Sequence, residues 1–137
     1  MPLFGLSFEE TRALFKEANK YGIEKKVATH PLYDKIWDPF TMDEVREIVK
    51  YGCYIEHNYS MCLPPCGSVR PEVYVEAIEA VGAENTIMCT DFAQITDCSP
   101  AEGMRYFIAT MLQLGVPEKD VELMVKINPA KLLDMDI

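Results

Sequence analysis

NTIMCTDFAQ, Asn85 to Gln94, is the stretch whose reading decides the fold. Thr86 to Cys89 are apolar or β-favouring without alternation, and the run breaks abruptly at Thr90-Asp91. A short apolar run of this kind predicts a strand buried on both faces. A carboxylate at the C-terminal end of such a strand stands where α/β proteins place ligand-binding and catalytic groups. Two further segments end the same way. KVATH, Lys26 to His30, and CYIEH, Cys53 to His57, are short apolar strands that each terminate in one of the chain's two histidines.

Between these strands the sequence alternates helix and strand. Ser7 and Glu10 form a capping box at the head of a helix over Leu6 to Tyr21, which Gly22 stops. Pro31 forces His30 out of helical geometry and holds it at the strand end. Thr41 and Glu44 cap a second helix, Met42 to Tyr51, ended by Gly52. Pro71 opens a third helix that runs to Val81 and stops at Gly82. Ser99-Pro100-Ala101-Glu102 starts a long helix reaching Leu114. Pro117 starts another to about Ile127, and Asn128-Pro129 caps a last short turn through Leu133.

The order is α-β-α-β-α-β-α-α-α, with short helix-to-strand turns and long strand-to-helix loops. This predicts parallel right-handed crossovers in one α/β domain over residues 1–137, three β/α units followed by C-terminal helices, with function gathered at the strand-exit edge. Three parallel strands cannot close a barrel, which takes about eight. Helices on one side only would leave the other sheet face against water, so either helices wind on both sides or another copy completes the structure. The second is expected.

Composition narrows the function classes. With 49% hydrophobic and 26% charged residues the 137-residue chain reads as an ordinary globular protein. A formal charge of −9 argues against nucleic acid and against an anionic membrane surface. No apolar run approaches the roughly 20 residues that span a bilayer, and Met1 to Gly5 carries no basic n-region, so a cytoplasmic location is expected. The five cysteines agree with a reducing compartment. Cys53 and Cys89 fall in buried strands, and Cys62 and Cys66 flank Leu63-Pro64-Pro65 in a loop without the second pair of a zinc ribbon.

His30, His57 and Asp91 at three equivalent strand exits form a ligand set suited to zinc, and also to manganese or iron. Three protein ligands with an open position would make hydroxide available near neutral pH, with Asp91 able to take the proton. Each residue alone is equally well a hydrogen-bonded loop residue; the joint pattern carries the metal reading. Glu56 is expected on the opposite side of its strand from His57, facing helices as a salt-bridge partner. Asp34, Asp38 and Asp97 lie in exit-side loops. Arg70 could meet an anionic substrate, and Trp37 and Tyr59 could line a pocket, though aromatic loop packing explains them as well. Met104 and Met111 read as core.

ATHP, YIEHNYSMCLP and TIMCTDFAQ…SPAEGMRYFIATMLQLGVPEKDVELMVKINPAKLL together resemble the C-terminal part of a family of amidohydrolase-like, metal-dependent hydrolases. The most specific parts are TDFAQ with the P-x-E-G-M-R helix, and the closing N-P-A-K-L-L. The resemblance implies a TIM-like (β/α) barrel with one or two divalent metals, hydrolysing an amide, ester or phosphoester of a small molecule through metal-bound hydroxide. It places histidine ligands at His30 and His57, and the ligand and general base at Asp91. Family members begin with a strand ending in H-x-H, and no H-x-H occurs in this sequence. The resemblance therefore implies an incomplete barrel, a truncated or split half, whose missing part comes from another copy in a homo-oligomer or from a partner chain, and whose metal could be absent. Two readings compete with a hydrolase: a non-catalytic half-barrel that self-associates through its exposed sheet face, and a small-molecule binding module built on the aromatic loops.

Overall fold

The computed structural model describes residues 2–3, 5–35, 38–64 and 67–136. Its strands are β1 (Pro2–Leu3), β2 (Lys26–Thr29), β3 (Cys53–Asn58) and β4 (Thr86–Cys89), and its α-helices are α1 (Phe8–Lys20), α2 (Met42–Ile48), α3 (Pro71–Val81), α4 (Pro100–Gln113), α5 (Glu118–Glu122) and α6 (Asn128–Leu132). The sheet is parallel with strand order β1-β2-β3-β4. Three strands fall where the sequence places them; the two-residue edge strand β1 carries too short a pattern to be read.

Capping chemistry sets the helix starts. The Ser7 hydroxyl accepts from the Glu10 N–H at 3.3 Å while the Glu10 carboxylate accepts from the Ser7 N–H at 2.9 Å. Thr41 and Glu44 repeat the pattern. After α2 the chain tightens into a 3-10 turn, Val49–Tyr51, and Gly52 leaves it at φ 73°, a left-handed geometry that glycine adopts without strain. The stretch expected as one helix up to Ile127 is α5 followed by a π-helical turn, Leu123–Ile127. That wider turn packs on β4 and leads to Asn128, whose buried amide donates to the carbonyls of Ala83 at 2.8 Å and Thr86 at 2.7 Å.

The sheet has two unlike faces, corresponding to the alternation of side chains along each strand. Ala28, Cys53, Ile55 and Met88 belong to one continuous apolar core with Phe15 of α1, Val45 and Ile48 of α2, Tyr74, Ala77 and Ile78 of α3, and Phe107 and Met111 of α4. The opposite face carries Val27, Thr29, Tyr54, Glu56, Asn58, Ile87 and Cys89, by the register of the pairs Val27–Tyr54, Thr29–Glu56, Glu56–Ile87 and Asn58–Cys89. Thr29, Tyr54, Glu56 and Cys89 there are only half-buried. Burial on both faces, expected from the unbroken apolar runs, is thus realised fully on the helix side alone.

Candidate functional site

Asp91 and His30 leave strands β4 and β2, which are separated by β3, and their side chains meet over its end. The His30 Nε2 lies 3.6 Å from the Asp91 Oδ2, with the ring buried and the carboxylate half-exposed. Both residues have left-handed backbone, φ 55° at His30 and φ 54° at Asp91. Outside glycine this costs of order 1–3 kcal/mol per residue and persists only where surrounding contacts enforce it. The sequence indicates that Pro31 excludes a right-handed helix at His30. The structure goes further: the turn closed by the Tyr33 N–H on the His30 carbonyl at 3.2 Å accompanies the left-handed rather than the extended alternative. Burial lowers the His30 pKa, with Asp91 and Glu56 opposing the shift, so the ring is neutral near pH 7 and offers a lone pair.

A clamp holds Asp91. The Ser60 hydroxyl donates to the Asp91 Oδ2 at 3.2 Å, and the Ser60 N–H donates to the Thr90 carbonyl at 3.0 Å. The next residue, Phe92, stacks on Tyr59 with ring centres 6.2 Å apart, and Tyr59 stacks on Phe107 at 4.8 Å. Gly103 of α4 is what lets Phe92 seat there, because a Cβ at that position would lie 2.2 Å from the Phe92 Cε2, far inside contact distance. The loop after β4 is tied further by Asp97, whose Oδ2 accepts from the N–H groups of Ala93 and Gln94.

His57 does not join this pair. It lies on the helix side of β3 with Cys53 and Ile55, 1% exposed, and stacks on Tyr74 with ring centres 4.3 Å apart. Neither ring nitrogen has a hydrogen-bond partner among the described residues, and burial lowers the pKa to about 3. The expected three-ligand set of His30, His57 and Asp91 is corrected accordingly: two converge and the third turns away, because period-2 alternation sends His57 to the side that Ile55 occupies. The same alternation reverses the expectation for Glu56. It faces the open side, where the Asn58 amide donates to it at 3.4 Å, and its charge acts on both His30 and Cys89. Among the described residues no group of three His, Cys, Asp or Glu is gathered so as to hold a metal ion.

The sequence singles out neither Ser60 nor Asn58, and reads Glu56 and Cys89 only as a helix-facing salt-bridge partner and a buried strand thiol. In the structure Ser60 bonds Asp91, and Glu56, with Asn58 and Cys89 beside it, acts on His30. The Asn58 amide also approaches the Cys89 sulfur at 2.8 Å, and burial raises that thiol to about 12, so it stays protonated and is no nucleophile. The signal for Glu56 and Asn58 was available in the apolar residues of β3, since Cys53 and Ile55 mark the helix side. Tyr59, expected as a pocket residue, is buried between Phe92 and Phe107, with its hydroxyl 3.3 Å from that of Thr110. Arg70 is exposed at the N-cap of α3. Trp37 and Cys66 lie outside the described residues.

With this geometry in place, comparison with known proteins adds one partial match. Residues 6–56 are similar to a family of unknown function (DUF6282). That span runs from the start of α1 through most of β3, and so includes His30 and Glu56 but not Ser60 or Asp91. No curated protein matches the chain. No helix among the described residues is long and apolar enough to cross a membrane.

Proposed function

We propose that this chain carries part of the active site of an amidohydrolase-type hydrolase, with His30 and Asp91 as two ligands of a divalent metal. The observation that carries the reading is their convergence from separate strands onto one edge, each on strained backbone. Their 3.6 Å separation suits two corners of a tetrahedral zinc shell, where bonds of roughly 2.0–2.2 Å put ligand atoms about 3.4 Å apart. His57 does not fit, and the remaining positions are left to groups beyond this pair. A divalent ion there would supply hydroxide at neutral pH for attack on an amide, ester or phosphoester; zinc suits the donors, and manganese or iron accept them too.

The residues of the chain have definable parts in this reading. His30 binds through a ring kept neutral by burial. Ser60 fixes the direction of the Asp91 carboxylate, and half-exposed Asp91 is the group able to receive a proton from water. The sequential strand order with helices on one face supports a segment of a TIM-like (β/α) barrel, in which the half-open face is the interior wall. A second copy or a partner chain covering that face would supply the further ligands. A second reading, a non-catalytic half-barrel that self-associates through the same face, is favoured by the half-buried Thr29, Tyr54, Glu56 and Cys89 that this face leaves to be covered.

Zinc titration calorimetry and elemental analysis of the dialysed chain test the proposal. The native chain and His57→Phe are expected to bind zinc, and Asp91→Asn to lose it. Equal uptake by all three, or no uptake even in excess zinc, would remove the hydrolase reading and leave the half-barrel.

A further inference from the structure

Besides His30 and Asp91, Asp134 has left-handed backbone, at φ 54°, and it lies at the opposite end of the sheet, where the strands begin. It closes the end of α6: the Asp134 N–H donates to the Lys131 carbonyl at 3.3 Å, and the Met135 N–H to the Ala130 carbonyl at 2.9 Å. Glycine is the usual residue at such a cap, and the residue after it commonly packs back on its own helix. Here the strained position is an aspartate tied by an ion pair to Lys25, the residue before β2. Its neighbours Leu133 and Met135 are left 65% and 58% exposed. Tyr21 and Ile23, just ahead of Lys25, are exposed as well. Four of the seven large apolar side chains exposed among the described residues therefore lie within four positions of one member of the Lys25–Asp134 pair. Beside them a recess of about 420 Å³ is lined in part by Glu24, Lys25, Gly52, Glu84, Lys131 and Asp134.

We propose that this strand-start end is the interface between two copies of the chain, packed about a two-fold axis. Single exposed apolar side chains are ordinary on any surface, but a group of them rimmed by polar residues marks an interaction site. The rim decides the occupant. Lys25 and Lys131 stand there with Glu24, Glu84 and Asp134, so a two-fold-related copy can set lysines against carboxylates in both directions. A partner of one sign would leave part of the rim facing its like. An anionic lipid surface would meet three carboxylates and a chain of formal charge −9. The same charge makes two copies repel over much of their surface. The recess by the starts of α1 and α2, for example, has Glu9, Asp38 and Glu44 among its lining and no lysine or arginine among the described residues there. The strand-start end, with both signs present, is where two copies can approach. This surface differs from the half-open sheet face, lies at the other end of the strands from His30 and Asp91, and does not depend on the hydrolase reading.

Sedimentation equilibrium over a roughly hundredfold range of concentration tests the proposal, together with ¹⁵N amide spectra recorded on dilution. The native chain is expected to be a dimer that dissociates as it is diluted. The amide signals of Ile23, Lys25, Leu133 and Met135 should move with that dissociation, while those of Glu56, Asn58 and Cys89 stay in place. Met135→Lys puts a charge into the apolar centre, and Lys131→Glu leaves the rim with one lysine against four carboxylates. Each should weaken the dimer at least tenfold with the urea midpoint of the monomer unchanged. A monomer at every concentration, or a dimer undiminished in Met135→Lys, would overturn the interface. So would dilution shifts confined to Glu56, Asn58 and Cys89, which would place the association on the sheet face. The dilution spectra need no variant, so they decide the matter even where a substitution harms folding.

Discussion

His30 and His57 stand at the ends of neighbouring strands, and the fold uses them in opposite ways. His57 lies within β3 on the helix side, stacked on Tyr74 and sealed from water, its two ring nitrogens without a hydrogen-bond partner among the described residues. It behaves as an aromatic core residue that happens to be basic. His30 lies one residue past β2, on strained backbone, and turns its Nε2 toward a half-exposed carboxylate. The register Thr29–Glu56 puts the two histidines level, so alternation alone would send both to the helix side. Leaving the strand on left-handed backbone is what turns His30 from packing to chemistry.

The sharpest way to break this contrast is to attack the packing of His57. Tyr74→Ala removes the ring that His57 stacks on and that tilts against Phe107 at 6.0 Å, with an expected loss of about 4 kcal/mol in urea denaturation. Acid comes next. The His57 pKa is depressed to about 3, so between pH 6.5 and that value the unfolded chain binds a proton that the folded chain refuses. This contribution to stability is full above pH 6.5 and is lost as pH falls toward 3, at a cost of a few kcal/mol. His30, lowered in the same direction, adds to it. Urea midpoints measured across that range should fall less steeply in His57→Phe than in the native chain.

On the other side of the comparison, Gly103→Ala should displace Phe92 and cost about 2 kcal/mol, with Phe92→Leu in the same chain restoring most of it. Asp91→Asn should weaken zinc at least tenfold, about 1.4 kcal/mol, while moving the urea midpoint less than any of the preceding changes. The smallest effect reads the backbone directly. At φ 54° glycine is unstrained, so Asp91→Gly should be more stable than Asp91→Ala by about 1 kcal/mol. Equal stability of the two would mean that no strain is stored at the site.

The element order was readable because capping boxes, helix-ending glycines and apolar runs all pointed the same way at each boundary. Asp91 and His30 were readable because strand ends are the exposed ends of otherwise apolar runs. What misled was treating strand ends as equivalent. CYIEH ends in His57, but β3 continues to Asn58, so that histidine is still inside the alternation while His30 has already left it. Ser60 escaped notice because its part depends on Thr90 and Asp91, thirty residues away and brought alongside only by strand pairing. Gly103 escaped because a missing side chain has meaning only against the ring that fills its place.

One feature of the sheet reaches beyond the site. Its strands pair in the order in which they occur along the chain, with no strand inserted later between two earlier ones. A chain emerging from the ribosome could therefore dock each β/α unit on the one made just before it, keeping each pairing between segments adjacent in the chain and exposing one growing edge at a time. Asn128 is the late arrival: its clasp on Ala83 and Thr86 closes over β4 after the sheet is laid down.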